Sequence, residues 1–207
     1  MTCSVDSLLN YFDFEGKQSM KEDDVVDTVY CSEQALLDCG FIPGTNRAYA
    51  LTSINTVEII DLETAELVTK IERFPHPTNY VIGVQPEGNT ILIHCGNYKG
   101  EVFTYTVDQT RKQQIDSETG AVTSDCLETT SMLQSQGEET VVRNCLKVNE
   151  QEVLVTTENN TVEIYRKSEN GPQFDLELDM EDDENPEEAS GGKMLNKGKN
   201  KRGHNPF

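Results

Sequence analysis

The 207-residue sequence has no tryptophan, only three histidines and no long apolar run. No stretch approaches the ~20 apolar residues that a membrane-spanning helix needs, so no membrane association is expected. Residues 1–10 lack a basic start and a long hydrophobic segment, so no signal peptide is read there. No pair of cysteines is spaced CxxC. The six cysteines fall at wide, irregular intervals and are expected to be reduced thiols, mostly buried in strands. These absences point to an intracellular protein of the nucleus, the cytoplasm or both. Asn159-Asn160-Thr161 fits a glycosylation sequon, but without secretion it reads as a hairpin turn.

Catalytic signatures are also missing. The chain has no GxSxG, HExxH, P-loop or GxGxxG motif. His204 lies near the C-terminus, and His76 sits between Pro75 and Pro77. His94 precedes Cys95, but neighbours along a strand point to opposite faces and cannot chelate together. No catalytic residue, cofactor or metal is therefore expected. Acidic pairs such as Asp23-Asp24 are abundant, but at this overall charge they arise without a catalytic reason.

Basic residues are few: 17 Lys and Arg against 37 Asp and Glu, a net charge of −20. Residues 1–167 carry 27 acids and 12 bases, and residues 168–207 carry 10 acids and 5 bases. The second segment splits by sign. Its first part is acidic and includes Glu181, Asp182, Asp183 and Glu184; its end is basic and includes Lys193, Lys197, Lys199, Lys201 and Arg202. Little apolar area is available there to offset ordering entropy, so residues 168–207 are expected to be a disordered tail. An acidic body repels phosphate backbones and is not expected to bind nucleic acid directly. It attracts basic partners. Glu181 to Glu184 form a candidate contact for a basic protein, or simply a solubilising stretch. Lys197, Lys199, Lys201 and Arg202 form a candidate nuclear-localisation signal, or a basic end with no specific role.

The most informative positive feature is a repeat. Asn-Thr-Val-Glu-Ile occurs at 55–59 and again at 160–164, each time after an apolar run ending in threonine or Thr-Ser. Apolar run, polar turn and alternating strand form a β-hairpin pattern. Residues 7–13 match 55–61 with apolar residues in the same phase, and 100–106 is a degraded copy. Leu9, Val57, Val102 and Val162 mark the series, at spacings of 48, 45 and 60 residues. A four-stranded repeat unit needs about 40–45 residues. The long last spacing is assigned to a polar insertion between Asp108 and Asp125.

Strands are expected at 35–42, 47–53, 56–61 and 66–72, then at 80–84, 90–95 and 101–107, and finally at 141–148, 152–157 and 162–165. The segment 35–42 is apolar enough to suggest an inner strand buried on both faces. Short strands and frequent turns also fit an antiparallel sandwich, but the fixed period favours repeated sheets.

These units resemble WD40 repeats. Residues 3–13 are similar to the family's small-residue strand, polar turn and third strand ending in Trp-Asp, with Phe12-Asp13 in place of that pair. Ile60-Asp61 stands at the same place in the next unit, whereas Tyr105-Thr106 and Tyr165-Arg166 lack the Asp. No Gly-His pair opens a unit, so the family's His-Ser/Thr-Asp-Trp hydrogen-bond network is broken here. The resemblance implies an all-β WD40-type β-propeller. Residues 1–167 would hold the last two strands of one blade, two full blades and a final blade without its outer strand. Propellers close with about four to eight blades, and closure removes exposed edges. About three blades plus part strands cannot close alone, so the chain is expected to be a fragment, with the remaining propeller blades missing, or to pair with another chain.

The resemblance implies a non-catalytic scaffold that presents rigid loops to other proteins. Two further readings stay open. One is an acidic escort for a basic nuclear or ribosomal protein. The other is a propeller enzyme whose catalytic groups lie in a missing N-terminal half.

Overall fold

The computed structural model describes residues 1–15, 25–135, 140–167 and 174–177. The chain divides into one unit over Met1–Glu177 and a second over Leu178–Phe207. The second unit lies outside the described residues, and everything below concerns the first.

Each described element is a β-strand, and the strands form antiparallel meanders. The first sheet has three strands: β1 (Thr2–Cys3), β2 (Leu8–Phe12) and β3 (Val26–Cys31). The second has β4 (Leu36–Ile42), β5 (Arg47–Thr52), β6 (Val57–Asp61) and β7 (Glu66–Ile71), paired in sequence order. The third begins with β8 (Tyr80–Glu87), β9 (Thr90–Gly96) and β10 (Glu101–Val107). A small hairpin, β11 (Gln114–Ile115) with β12 (Val122–Ser124), then intervenes before β13 (Leu127–Gln134) completes that sheet beside β10. The fourth holds β14 (Val142–Lys147), β15 (Glu152–Thr157), β16 (Val162–Lys167) and β17 (Phe174–Glu177).

One turn recurs in all four sheets and explains the sequence repeat. It spans Ser4–Leu8, Thr52–Thr56, Asn97–Glu101 and Thr157–Thr161. The amide of the first residue donates to the carbonyl of the fifth, at 3.0, 2.9, 3.1 and 3.1 Å in chain order. The amide of the fourth donates back to the carbonyl of the first, at 3.1, 3.1, 3.2 and 3.2 Å. That fourth residue must turn left-handed, and Ser7, Asn55, Gly100 and Asn160 have φ of 72°, 62°, 81° and 61°. Asn and Gly tolerate this region, so they recur at this position. In the second and fourth sheets paired hydroxyls brace the turn: Thr52 Oγ1 to Thr56 Oγ1 at 2.7 Å, and Thr157 Oγ1 to Thr161 Oγ1 at 2.6 Å. Asn97 and Glu101 join side chains at the same place in the third sheet.

The sheets stack face to face in chain order with constant polarity. Leu9 and Tyr30 of the first sheet pack on Leu36, Ala50 and Ile60 of the second. Tyr49, Val57 and Ile59 of the second meet Ile93, Phe103 and Tyr105 of the third. Val102 and Leu133 of the third meet Val153, Val155 and Tyr165 of the fourth. The marker residues Leu9, Val57 and Val102 thus each face the following sheet. The first strands also lie together along the stack, β4 against β8 and β8 against β14.

Several expectations need correction. The first sheet has three strands rather than two, because Thr2–Cys3 pairs with Leu9 and Asn10. The last sheet does not lack its outer strand, and the folded unit runs beyond residue 167. Phe174–Glu177 pairs with Ile164–Lys167; its Phe-Asp-Leu-Glu alternation is a strand pattern hidden in an acidic run. The insertion after Asp108 is confirmed in place, but it contains the β11–β12 hairpin. Finally, β4 is not buried on both faces: Leu37 and Phe41 are exposed. It is an edge strand. The doubly covered strands are the central ones, β5, β6, β9 and β10.

The two copies of the pentapeptide are a matched pair in different surroundings. Val57 and Ile59 are fully buried, whereas Val162 is 65% and Ile164 43% exposed. Ile59→Ala is expected to destabilise the fold by about 2–5 kcal/mol. In dilute solution, where the outer face of the fourth sheet is uncovered, Ile164→Ala is expected to cost less than about 1 kcal/mol. Chemical denaturation of the two variants measures the difference, and equal losses would contradict the assigned stacking.

Candidate functional site

Among the described residues, a pocket between the third and fourth sheets gathers several polar side chains. A cavity of about 230 Å³ is lined by His94, Thr104 and Ser131 on one side and Lys147, Val153 and Lys167 on the other. The strand alternation places these residues. His94 and Thr104 are paired across β9 and β10 and face the fourth sheet, while Cys95 and Phe103 beside them face the second. The sequence expectation that His94 and Cys95 diverge therefore holds.

Gln85 organises the site. Its side-chain nitrogen donates to the Lys147 carbonyl at 2.9 Å, and its oxygen accepts the Lys147 amide at 2.8 Å. One side chain thus makes a backbone-like bridge from β8 to β14. The Gln85 oxygen, acting as acceptor, also lies 3.4 Å from His94 Nε2, so that nitrogen carries the proton. His94 Nδ1 is then free to accept from the Thr104 hydroxyl at 3.0 Å. Lys147 Nζ pairs with Glu87 and, at 3.0 Å, with Glu150.

This arrangement holds His94 neutral. Burial, with a further push from the Lys147 charge, lowers its pKa to about 4. A ring so buried and so weakly basic is suited to cross-bracing two sheets, not to proton transfer near neutral pH. The buried thiols are equally inert. Burial pushes Cys145 up to about 12, and burial with the nearby Asp125 charge pushes Cys126 up to about 11. Among the described residues no group of three or more His, Cys, Asp or Glu could hold a metal ion.

The repeated glutamate of the pentapeptide is the second polar feature. Glu58 and Glu163 occupy equivalent positions, both buried and both turned toward the preceding sheet. The Tyr30 hydroxyl donates to Glu58 at 3.1 Å. For Glu163 the donors are Ser135 at 3.1 Å and Tyr165 at 2.5 Å. Burial, and then the Glu58 charge, raise the Tyr30 pKa above its ordinary value, so it stays a donor. These carboxylates are tethers between consecutive sheets.

Glu181, Asp182, Asp183 and Glu184 lie outside the described residues, as do Lys197, Lys199, Lys201 and Arg202. Sequence reasoning missed Gln85 and Lys147 as bridging residues. No local motif marks them, because their pairing depends on how two sheets stack.

Comparisons with known proteins add little. No family model matches the chain, and no curated protein matches it. Among solved structures, the chain is similar to one described as the crystal structure of the computationally designed Ika4 protein. The identity is 11% and the TM-score 0.45, over 80% of this chain and 83% of that one. A likeness of that size carries no functional weight.

The His94 site sets a pH dependence. A pKa lowered by folding means that the unfolded chain takes up a proton first as pH falls. The neutral ring's contribution is complete above about pH 6.5 and is lost as pH drops toward 4. The loss amounts to about 3 kcal/mol. His94→Gln is expected to flatten this part of the stability–pH curve, measured by denaturation between pH 7 and pH 4. An unchanged slope would show that His94 does not titrate in this way.

Proposed function

We propose that this chain belongs to a WD40-type β-propeller and works as a non-catalytic scaffold for protein–protein interaction. The observation that carries the reading is the four-fold recurrence of one module. Each sheet uses the same turn, with its left-handed residue at the same place, and each presents the same face to its successor. The convergence of first strands along the stack also supports it, since propeller blades pack with their first strands toward a common axis. Tryptophan-free repeats remain compatible with this architecture because other groups brace it. Paired threonines hold the turns, and buried glutamates tether neighbouring sheets.

In this reading function comes from rigid loops held by the stacked sheets, with other proteins as partners. The inert His94 and the raised thiol pKa values favour a binding role over chemistry.

The net charge of −20 favours a second reading, an acidic escort for a basic protein. The two are separated by a truncation ending at Glu177, which keeps β17 and removes residues 178–207. If the chain is a scaffold, its partner still binds the truncated form, with at most a small change in affinity. If it is an escort, binding of a basic protein is lost on truncation and falls steeply with salt in the intact chain. Titration calorimetry of both forms over a range of salt concentrations decides between them.

A further inference from the structure

Among the described residues, the first and fourth sheets each turn outward a face with exposed apolar residues. On the fourth sheet, Leu146, Leu154 and Ile164 align across β14, β15 and β16, and Val162 sits one row away on the same face. Leu146, Val162 and Ile164 are exposed. This face is equivalent, position by position, to the one that the second sheet buries against the third: Val162 matches Val57, and Ile164 matches Ile59. It carries the residues of an inter-sheet interface, and among the described residues no sheet lies on it.

The opposite end is complementary. On the first sheet, Leu8 pairs with Cys31, Asn10 with Val29 and Phe12 with Val26, so these residues share a face. That face points away from the second sheet, which contacts Leu9 and Tyr30 instead. Val29 is 49% exposed, and Phe12 stacks on the exposed Phe14 at 6.2 Å. Asn10 occupies the position of Phe103 in the third sheet, where the side chain packs against the second sheet. The first sheet therefore shows the kind of face that each preceding sheet covers inside the chain.

We infer that a second copy of this chain covers these faces, with the fourth sheet of each copy stacked on the first sheet of the other. The occupant is set by polarity. Every internal interface joins a face of the Val57 type to a face of the Glu58 or Phe103 type, and the chain displays one of each. The row formed by Leu146, Leu154 and Ile164 is apolar, and the Glu152–Arg166 pair beside it on the same face is balanced in charge, so a basic partner drawn by charge does not suit it. Two such contacts, related by a two-fold axis, place eight sheets in one closed ring. That number lies within the range propellers use. The stacking stands on the exposed faces alone, whereas ring closure rests on the propeller reading.

The test is the mass of the intact chain in solution, measured by sedimentation velocity over a range of concentrations, together with two variants. Ile164→Glu and Val29→Glu change exposed residues at opposite ends, and circular dichroism checks that both remain folded. A discrete dimer is expected for the parent chain, weakened more than about tenfold by either substitution. Mixing the two variants is expected to restore a one-to-one complex, because the fourth sheet of the Val29→Glu chain and the first sheet of the Ile164→Glu chain are both intact. A monomer at all concentrations would overturn the inference, as would a dimer insensitive to either substitution. Open-ended polymers would overturn ring closure.

Discussion

Everything in this fold depends on covering both faces of a sheet. A four-stranded meander rich in Val, Ile and Leu on both sides cannot stand in water, and each fully buried aliphatic side chain contributes about 1.5–3 kcal/mol. The second and third sheets satisfy the requirement within the chain. Val57, Glu58, Ile59 and Ile60 are all buried along a single strand, which is possible only when neighbours lie on both sides. The first and fourth sheets satisfy it on one side. Burial is therefore graded along the stack, although the sequence units are near-copies.

That constraint accounts for the repeated pentapeptide residue by residue. Asn adopts the left-handed position that closes the turn. Thr braces the turn through its hydroxyl partner three residues before the Asn. Val and Ile face the next sheet, and Glu faces the previous one, where a tyrosine or serine hydroxyl satisfies it. Burying a carboxylate is costly without such donors. Asn55 adds a further link, since its side-chain oxygen accepts the Val81 amide of the third sheet at 3.1 Å. The pentapeptide is thus both a turn and a two-sided fastener.

Much of this was legible in the sequence because it is local. The turn chemistry and the phase of Leu9, Val57, Val102 and Val162 placed β2, β6, β10 and β16, the strand that follows the recurring turn in each sheet. Even the degraded copy at Gly100 keeps the turn, with glycine supplying the left-handed residue. What escaped depends on distant partners. Strand β13 reads as polar, since Leu127–Gln134 buries only Ser131 and Leu133. Strand β17 lies within an acidic run, and Thr2–Cys3 is too short to show a period. The exposure of β4 follows from its edge position rather than its composition. The Gln85–Lys147 bridge joins residues 62 apart and has no sequence signature. The acidic and basic residues chosen from the C-terminal segment rest on composition alone.

The central claim is that the sheets form one ordered stack with doubly covered sheets in the middle. Hydrogen exchange in dilute solution, followed by mass spectrometry, tests it directly. Amides in β5, β6, β9 and β10 are expected to exchange only through global unfolding, while those in β2, β3, β15 and β16 open at lower free energy. Uniform protection across all four sheets, or greater protection at the ends than in the middle, would contradict the account.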